Sequence, residues 1–178
     1  MLWLEWAAGA VGLFALWFWL ATWPAANDIP NPAFFARSLR LLISRGVHKG
    51  PVRASLLLCP RGEKGRRLVF VKYIDPTRGT GIKAELARDG WASTHYASLR
   101  AELDRRGVAY VESASRDGPA LRFDFGRDAG GAYLVARLLF EEMLGLRLHQ
   151  DCVVYFRDVV LVNAPELTGV DDPNENWL

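Results

Sequence analysis

Apolar and polar positions change their period several times along this chain, and each change marks an element. The first run has no period at all. Residues 6–23 read WAAGAVGLFALWFWLATW, eighteen residues without a charge. As a helix they would span about 27 Å, close to the hydrocarbon thickness of a bilayer. No polar stripe recurs at 3.6 residues, so the pattern is not that of a surface helix. Trp3 and Trp6 stand at one end and Trp19 and Trp23 at the other, as indole rings do at the two headgroup levels. Pro24 stops the run, because it lacks an N–H and clashes with the preceding turn. The pattern predicts a single N-terminal transmembrane helix over residues 1–23. A cleaved signal peptide fits less well: no Lys or Arg precedes Arg37, and Trp23 and Pro24 stand before the Ala25–Ala26 pair.

Residues 24–32, PAANDIPNP, carry three prolines and read as an extended, stiff linker. A 3.6-residue stripe then runs through Phe34, Phe35, Leu39, Leu42 and Ile43, with Arg37, Arg40 and Arg45 elsewhere on the wheel. It predicts a helix over 33–45, docked either on a bilayer surface or on its own domain. Two apolar runs, Arg53–Cys59 and Arg67–Ile74, flank the polar turn PRGEKG and read as a hairpin. Leu68, Phe70, Lys72 and Ile74 alternate with Val69, Val71 and Tyr73, so both faces are largely apolar and the strand belongs inside a sheet.

Thr80 is placed to cap a helix running to about Arg88, and Thr94 a second one with Tyr96, Leu99 and Leu103 on one face, ended by Gly107. Val108–Glu112 and Ala120–Phe125 form a second hairpin pattern. Asp128 caps the strongest helix, Ala129–Leu144, whose stripe is Ala132, Val135, Ala136, Leu139 and Met143 and whose end is Gly145. Asp151–Val162 is β-branched and apolar, a strand. The order predicts an α+β domain over 33–165, with a small antiparallel or mixed five-stranded sheet and helices mainly on one face. Residues 166–178 form an acidic tail, with Glu166, Asp171, Asp172 and Glu175.

Charge sets the topology of this picture. The basic residues Arg37, Arg40, Arg45, Lys49 and Arg53 all follow the apolar run and none precedes it. That asymmetry predicts an outward N-terminus and a cytoplasmic domain. Ala8, Gly12 and Ala15, small residues at i, i+4 and i+7, would let two membrane helices approach, so self-association or a partner helix is expected there. The formal net charge is only +2, and the basic tip at Arg61, Lys64, Arg66 and Arg67 lacks interleaved aromatic residues, so no nucleic-acid partner is expected. Two cysteines, Cys59 and Cys152, read as buried thiols.

Candidate chemistry is sparse. His48, His95 and His149 share no metal-ligand spacing, and no metal or cofactor is expected. His149 and Asp151 pair as a candidate base and its orienter. Asp124, Phe125 and Gly126 spell the kinase metal-binding triplet, but no other kinase motif is present, and a strand end with a turn explains them. Arg78, Thr80 and Lys83 surround a glycine-rich turn and are the candidate anion-binding residues, although no Walker sequence follows. Two functions are consistent with this. One is a membrane-tethered, non-enzymatic interaction protein: an accessory subunit of a membrane complex or a regulatory, immunity-type binding protein, with the bilayer and another membrane or cytoplasmic protein as partners. The other is an enzyme assembling a site from His95, His149, Asp151 and Asp124. A pocket where those groups converge would favour the enzyme; an apolar patch or an unpaired sheet edge would favour the binder.

Overall fold

Period-two alternation dominates the architecture more than the sequence alone implies. The computed structural model describes residues 26–49, 52–63, 65–87, 93–115 and 118–159. Among these described residues nine strands run in chain order: β1 Ala26–Asp28, β2 His48–Lys49, β3 Val52–Arg53, β4 Ser55–Pro60, β5 Leu68–Asp75, β6 Gly79–Ala87, β7 Val111–Ser115, β8 Gly118–Gly126 and β9 Cys152–Arg157. Seven form one sheet in the order β1-β9-β4-β5-β6-β8-β7, and β2 pairs with β3 separately. Every pairing is antiparallel. The helices are α1 Pro32–Arg45, α2 Ser93–Arg105, α3 Ala129–Arg137, which runs on as a π-helical stretch Leu138–Met143, and the single turn α4 Leu148–Asp151.

The sheet has seven strands where five were expected, and the two additions have separate causes. Residues 80–88 were expected to be a helix. Lys83–Ala87 are good helix formers, but Ile82, Ala84 and Leu86 alternate with Lys83 and Glu85, and the first three are buried. In β6 both ladder sides are used, against β5 and β8, and this tertiary pairing overrides a weak local propensity. The other addition is β1 inside the Pro-rich segment, whose three residues pair with Val153–Tyr155 at the sheet edge.

Among the described residues no helix is long and apolar enough to cross a membrane. That finding runs against the expected single-pass membrane protein with its N-terminus outside. The run behind that expectation, with Trp3, Trp6, Ala8, Gly12, Ala15, Trp19 and Trp23, lies outside the described residues, as does the acidic tail.

The core forms between one face of the sheet and the helices. Leu56, Leu58, Leu68, Phe70, Ile82, Leu86, Leu121, Phe123 and Val154 come from the strands and join Phe35, Leu39, Leu42, Leu99, Leu103, Ala132, Val135 and Phe140 from the helical elements. Asn31 starts α1, its side chain accepting the Phe34 N–H at 2.8 Å, with Pro32 in the first turn. The basic helix expected to face either lipid or protein lies on the sheet: Phe35, Leu39 and Leu42 are fully buried, and Arg37 is only 9% exposed. Arg40 is exposed and Arg45 half-buried at the helix end. Phe35 meets Phe70 edge-on with ring centroids 5.9 Å apart. Asp128 caps α3 by accepting the Gly131 N–H at 2.9 Å. Gly107 and Gly145, at φ 65 and 67, end α2 and the π-helical stretch in the left-handed conformation that glycine tolerates.

Candidate functional site

The turn between β5 and β6 begins the site. Asp75 organises it, accepting the Thr77 N–H at 2.8 Å, the Thr77 hydroxyl at 2.6 Å and the Arg78 N–H at 2.9 Å. These bonds, led by the Thr77 hydroxyl, hold the Asp75 carboxyl at about 2. Its pKa is therefore depressed from 3.8, and its contribution to stability is complete above the unfolded value and is lost as pH falls through the folded one. Asp75→Asn is thus expected to lower Tm at pH 7, with the gap to the parent chain closing as pH falls from about 4 to 2. A gap that is constant across that window contradicts the turn.

Tyr73 and Gly81 face each other across β5 and β6. A Cβ on Gly81 would sit 2.7 Å from the Tyr73 Cζ and hydroxyl and 2.8 Å from the Gly126 carbonyl. The bare glycine therefore lets the tyrosine ring lie across β6 and reach β8. There the Tyr73 hydroxyl donates to Asp124 Oδ1 at 2.8 Å, and the Gly126 N–H donates to the same oxygen at 3.1 Å. The register shift between Ile82 and Lys83 sets Asp124 opposite Lys83. Lys83 Nζ and Arg78 Nη1 each lie 3.7 Å from Asp124 Oδ2, and Lys83 Nζ sits 4.5 Å from the Tyr73 ring centroid. Burial pushes the Asp124 carboxyl up, but Tyr73, the Gly126 N–H, Lys83 and Arg78 together hold it below its ordinary value. Burial and the same carboxylate raise Tyr73.

Beside this cluster lies a groove of about 410 Å3. β7 begins at Val111, opposite Arg122, so Phe123–Gly126 of β8 has no ladder partner on that side among the described residues. The groove occupies this gap. Its walls are Val108, Ala109, Phe125, Leu134, Val135 and Leu138, and its polar margin is Arg106, Asp124 and Asp128. Leu134 is 52% exposed, a large apolar side chain left open on α3. Each polar margin group already has a partner. Arg106 is tied to Glu102 and Glu142, Asp124 to Tyr73, and Asp128 to the Gly131 N–H.

Of the candidate anion-binding residues, Arg78 and Lys83 do meet, but on a carboxylate. Thr80 opens β6 opposite Ile74, not a helix. The four candidate catalytic groups do not meet. Asp124 lies on β8, whereas His149 and Asp151 lie in α4 next to β9, four strands away in the sheet order. Asp151 accepts the Arg147 N–H at 2.8 Å, closing that turn, and His149 contacts Gln150. His95 sits in the first turn of α2, and its buried Nδ1 has no hydrogen-bond partner among the described residues. Among the described residues no group of three or more His, Cys, Asp or Glu side chains gathers. Both cysteines are buried thiols outside any disulfide, and burial pushes Cys152 up to about 12.

Sequence reasoning missed Tyr73, Leu134 and the groove. Tyr73 reads as an ordinary strand aromatic until its partner strand is known. Leu134 stands off the core stripe of its helix, which was the one available signal. No known protein family matches this chain, and neither a curated protein nor a solved structure is similar to it.

Proposed function

We propose that this chain is a non-enzymatic binding domain, and that the groove beside β8 receives a large apolar side chain from an extended segment of another protein. The observation that carries this reading is the composition of the groove: apolar walls with exposed Leu134, and a margin whose polar groups are already hydrogen-bonded within the chain. A small polar substrate would find few unpaired groups to orient it there, whereas an apolar side chain gains by leaving water, about 1.5–3 kcal/mol for a fully buried one. The stretch of β8 without a ladder partner on that side runs along the same groove, where an extended segment would lie, with its Gly126 N–H and Phe125 carbonyl already bonded to Asp124 Oδ1 and to the Asp128 N–H. The enzyme reading has Asp124 alone in the groove, since His95, His149 and Asp151 lie elsewhere.

A photo-crosslinking residue tests this when placed at Leu134 and, as a control, at Ile74, an apolar side chain that is 49% exposed outside the groove. The expected result is a crosslink at Leu134 alone, mapping to one apolar residue in one partner segment. A synthetic peptide of that segment should then bind the parent chain, and Leu134→Glu should weaken binding at least tenfold. Equal crosslinking at both positions, or binding that ignores Leu134→Glu, rules the groove out.

A further inference from the structure

The two ends of the groove treat charge differently. Where α2 ends, Arg106 donates to Glu102 and to Glu142, and Arg105 donates to Glu102 at 2.8 Å. Two cations meet two carboxylates there in direct hydrogen bonds, and little remains for a further charge. At the β8 end the carboxylates draw their donors from inside the domain. Asp124 Oδ1 takes the Tyr73 hydroxyl and the Gly126 N–H, Asp75 Oδ1 takes Thr77 and the Arg78 N–H, and Asp128 takes the Gly131 N–H. The cations of this end find no such acceptors. Arg78 Nη1 and Lys83 Nζ stand 3.7 Å from Asp124 Oδ2, beyond hydrogen-bond distance, and their side chains are 74% and 56% exposed. Arg127 lies in the turn between the groove residues Phe125 and Asp128. It is exposed, and its side chain has neither an ion pair nor a hydrogen bond among the described residues. Formal charge balances at this end, but hydrogen bonding does not: the carboxylates are supplied and the cations are not.

We propose that the segment received by the groove carries an Asp or Glu close to its apolar anchor, and that Arg78, Lys83 and Arg127 hold this carboxylate. The inference rests on the groove reading above and adds the chemistry of the partner to it. A carboxylate brings the acceptors that these cations lack, and a guanidinium takes it through paired N–H donors. A basic residue in the same place would find Asp124 Oδ2 as its acceptor, but would have to approach it between Arg78 and Lys83, two like charges. The spacing follows from Asp124, which lines the groove and is also the point on which both cations converge. An extended segment advances about 3.3 Å per residue, so the acid falls within about three positions of the anchor. Exposed pairs of this kind give selectivity more than affinity and are screened by salt. The apolar anchor at Leu134 supplies the affinity, and the cations choose among apolar segments.

Random peptides displayed on phage, selected on the full chain and compared with selection on Leu134→Glu, test this. The parent chain should enrich a large apolar residue with Asp or Glu within about three positions of it. A synthetic peptide of that consensus should bind the unaltered chain about fivefold more weakly once its acid is replaced by the neutral amide, Asn or Gln. Raising salt from about 50 mM to about 500 mM should remove most of that difference. Selection on the chain with Arg78→Glu and Arg127→Glu should keep the apolar preference and lose the acidic one. Arg157→Glu, an equal reversal on β9 and away from the groove, should change neither. An apolar consensus without the acid, or an acidic preference that survives the double reversal, overturns the proposal and leaves the groove reading standing. A consensus that Leu134→Glu enriches equally, or no consensus at all, removes the groove reading and this proposal with it.

Discussion

Phe70→Ala is expected to destabilise the domain by about 3–5 kcal/mol, the range for removing a fully buried phenylalanine. Phe70 is 0% exposed and lies on β5, the central strand of the seven. Its ring meets Phe35 of α1 at 5.9 Å and Phe125 of β8 at 6.5 Å. It therefore joins the first helix of the fold to the strand that carries the candidate site. Truncation removes apolar burial and leaves a cavity that two rigid strands cannot close. Urea denaturation should show a lower midpoint with an unchanged slope. A loss below about 1 kcal/mol would mean that the site collapses freely, which is incompatible with this packing.

Gly81→Ala should cost about 1–3 kcal/mol through overpacking, although alanine is the better strand residue. The added methyl would meet the Tyr73 ring at 2.7 Å and the Gly126 carbonyl at 2.8 Å. Neither can yield without breaking a specific link, for Tyr73 is held to Asp124 and Gly126 is paired with Ile82. Because two neighbours resist the methyl, the Tyr73→Ala background should relieve part of the cost and leave the rest. A double-mutant cycle measures that coupling. Full additivity would show that the ring does not lie over Gly81.

Much of the domain is legible from hydrophobic period. The stripe Phe35, Leu39 and Leu42 locates α1, Asp128 and Gly145 bound the last long helix, and both hairpins pair in the expected sense. The misreadings arise where local propensity and long-range pairing disagree. In GTGIKAELA the last five residues favour a helix, but Ile82, Ala84 and Leu86 also satisfy a strand period, and only the presence of β5 and β8 on either side decides between them. A three-residue edge strand such as β1 is too short to have a period. The same limit hid the site. Arg78 and Lys83 were placed together because they are neighbours in sequence, and Asp124 stood out through its triplet, but their meeting depends on a pairing between strands about forty residues apart. The long apolar run at residues 6–23, read from composition as a bilayer-spanning helix, lies outside the described residues, and no described helix is long and apolar enough to cross a membrane.

Amide hydrogen exchange of the chain, alone and with the partner peptide captured at Leu134, tests the binding-groove account most directly. The account predicts slowed exchange at Phe123–Gly126 and at residues 108–110, where the sheet edge and the groove would be occupied. Protection confined to another surface, or none at all, would contradict it.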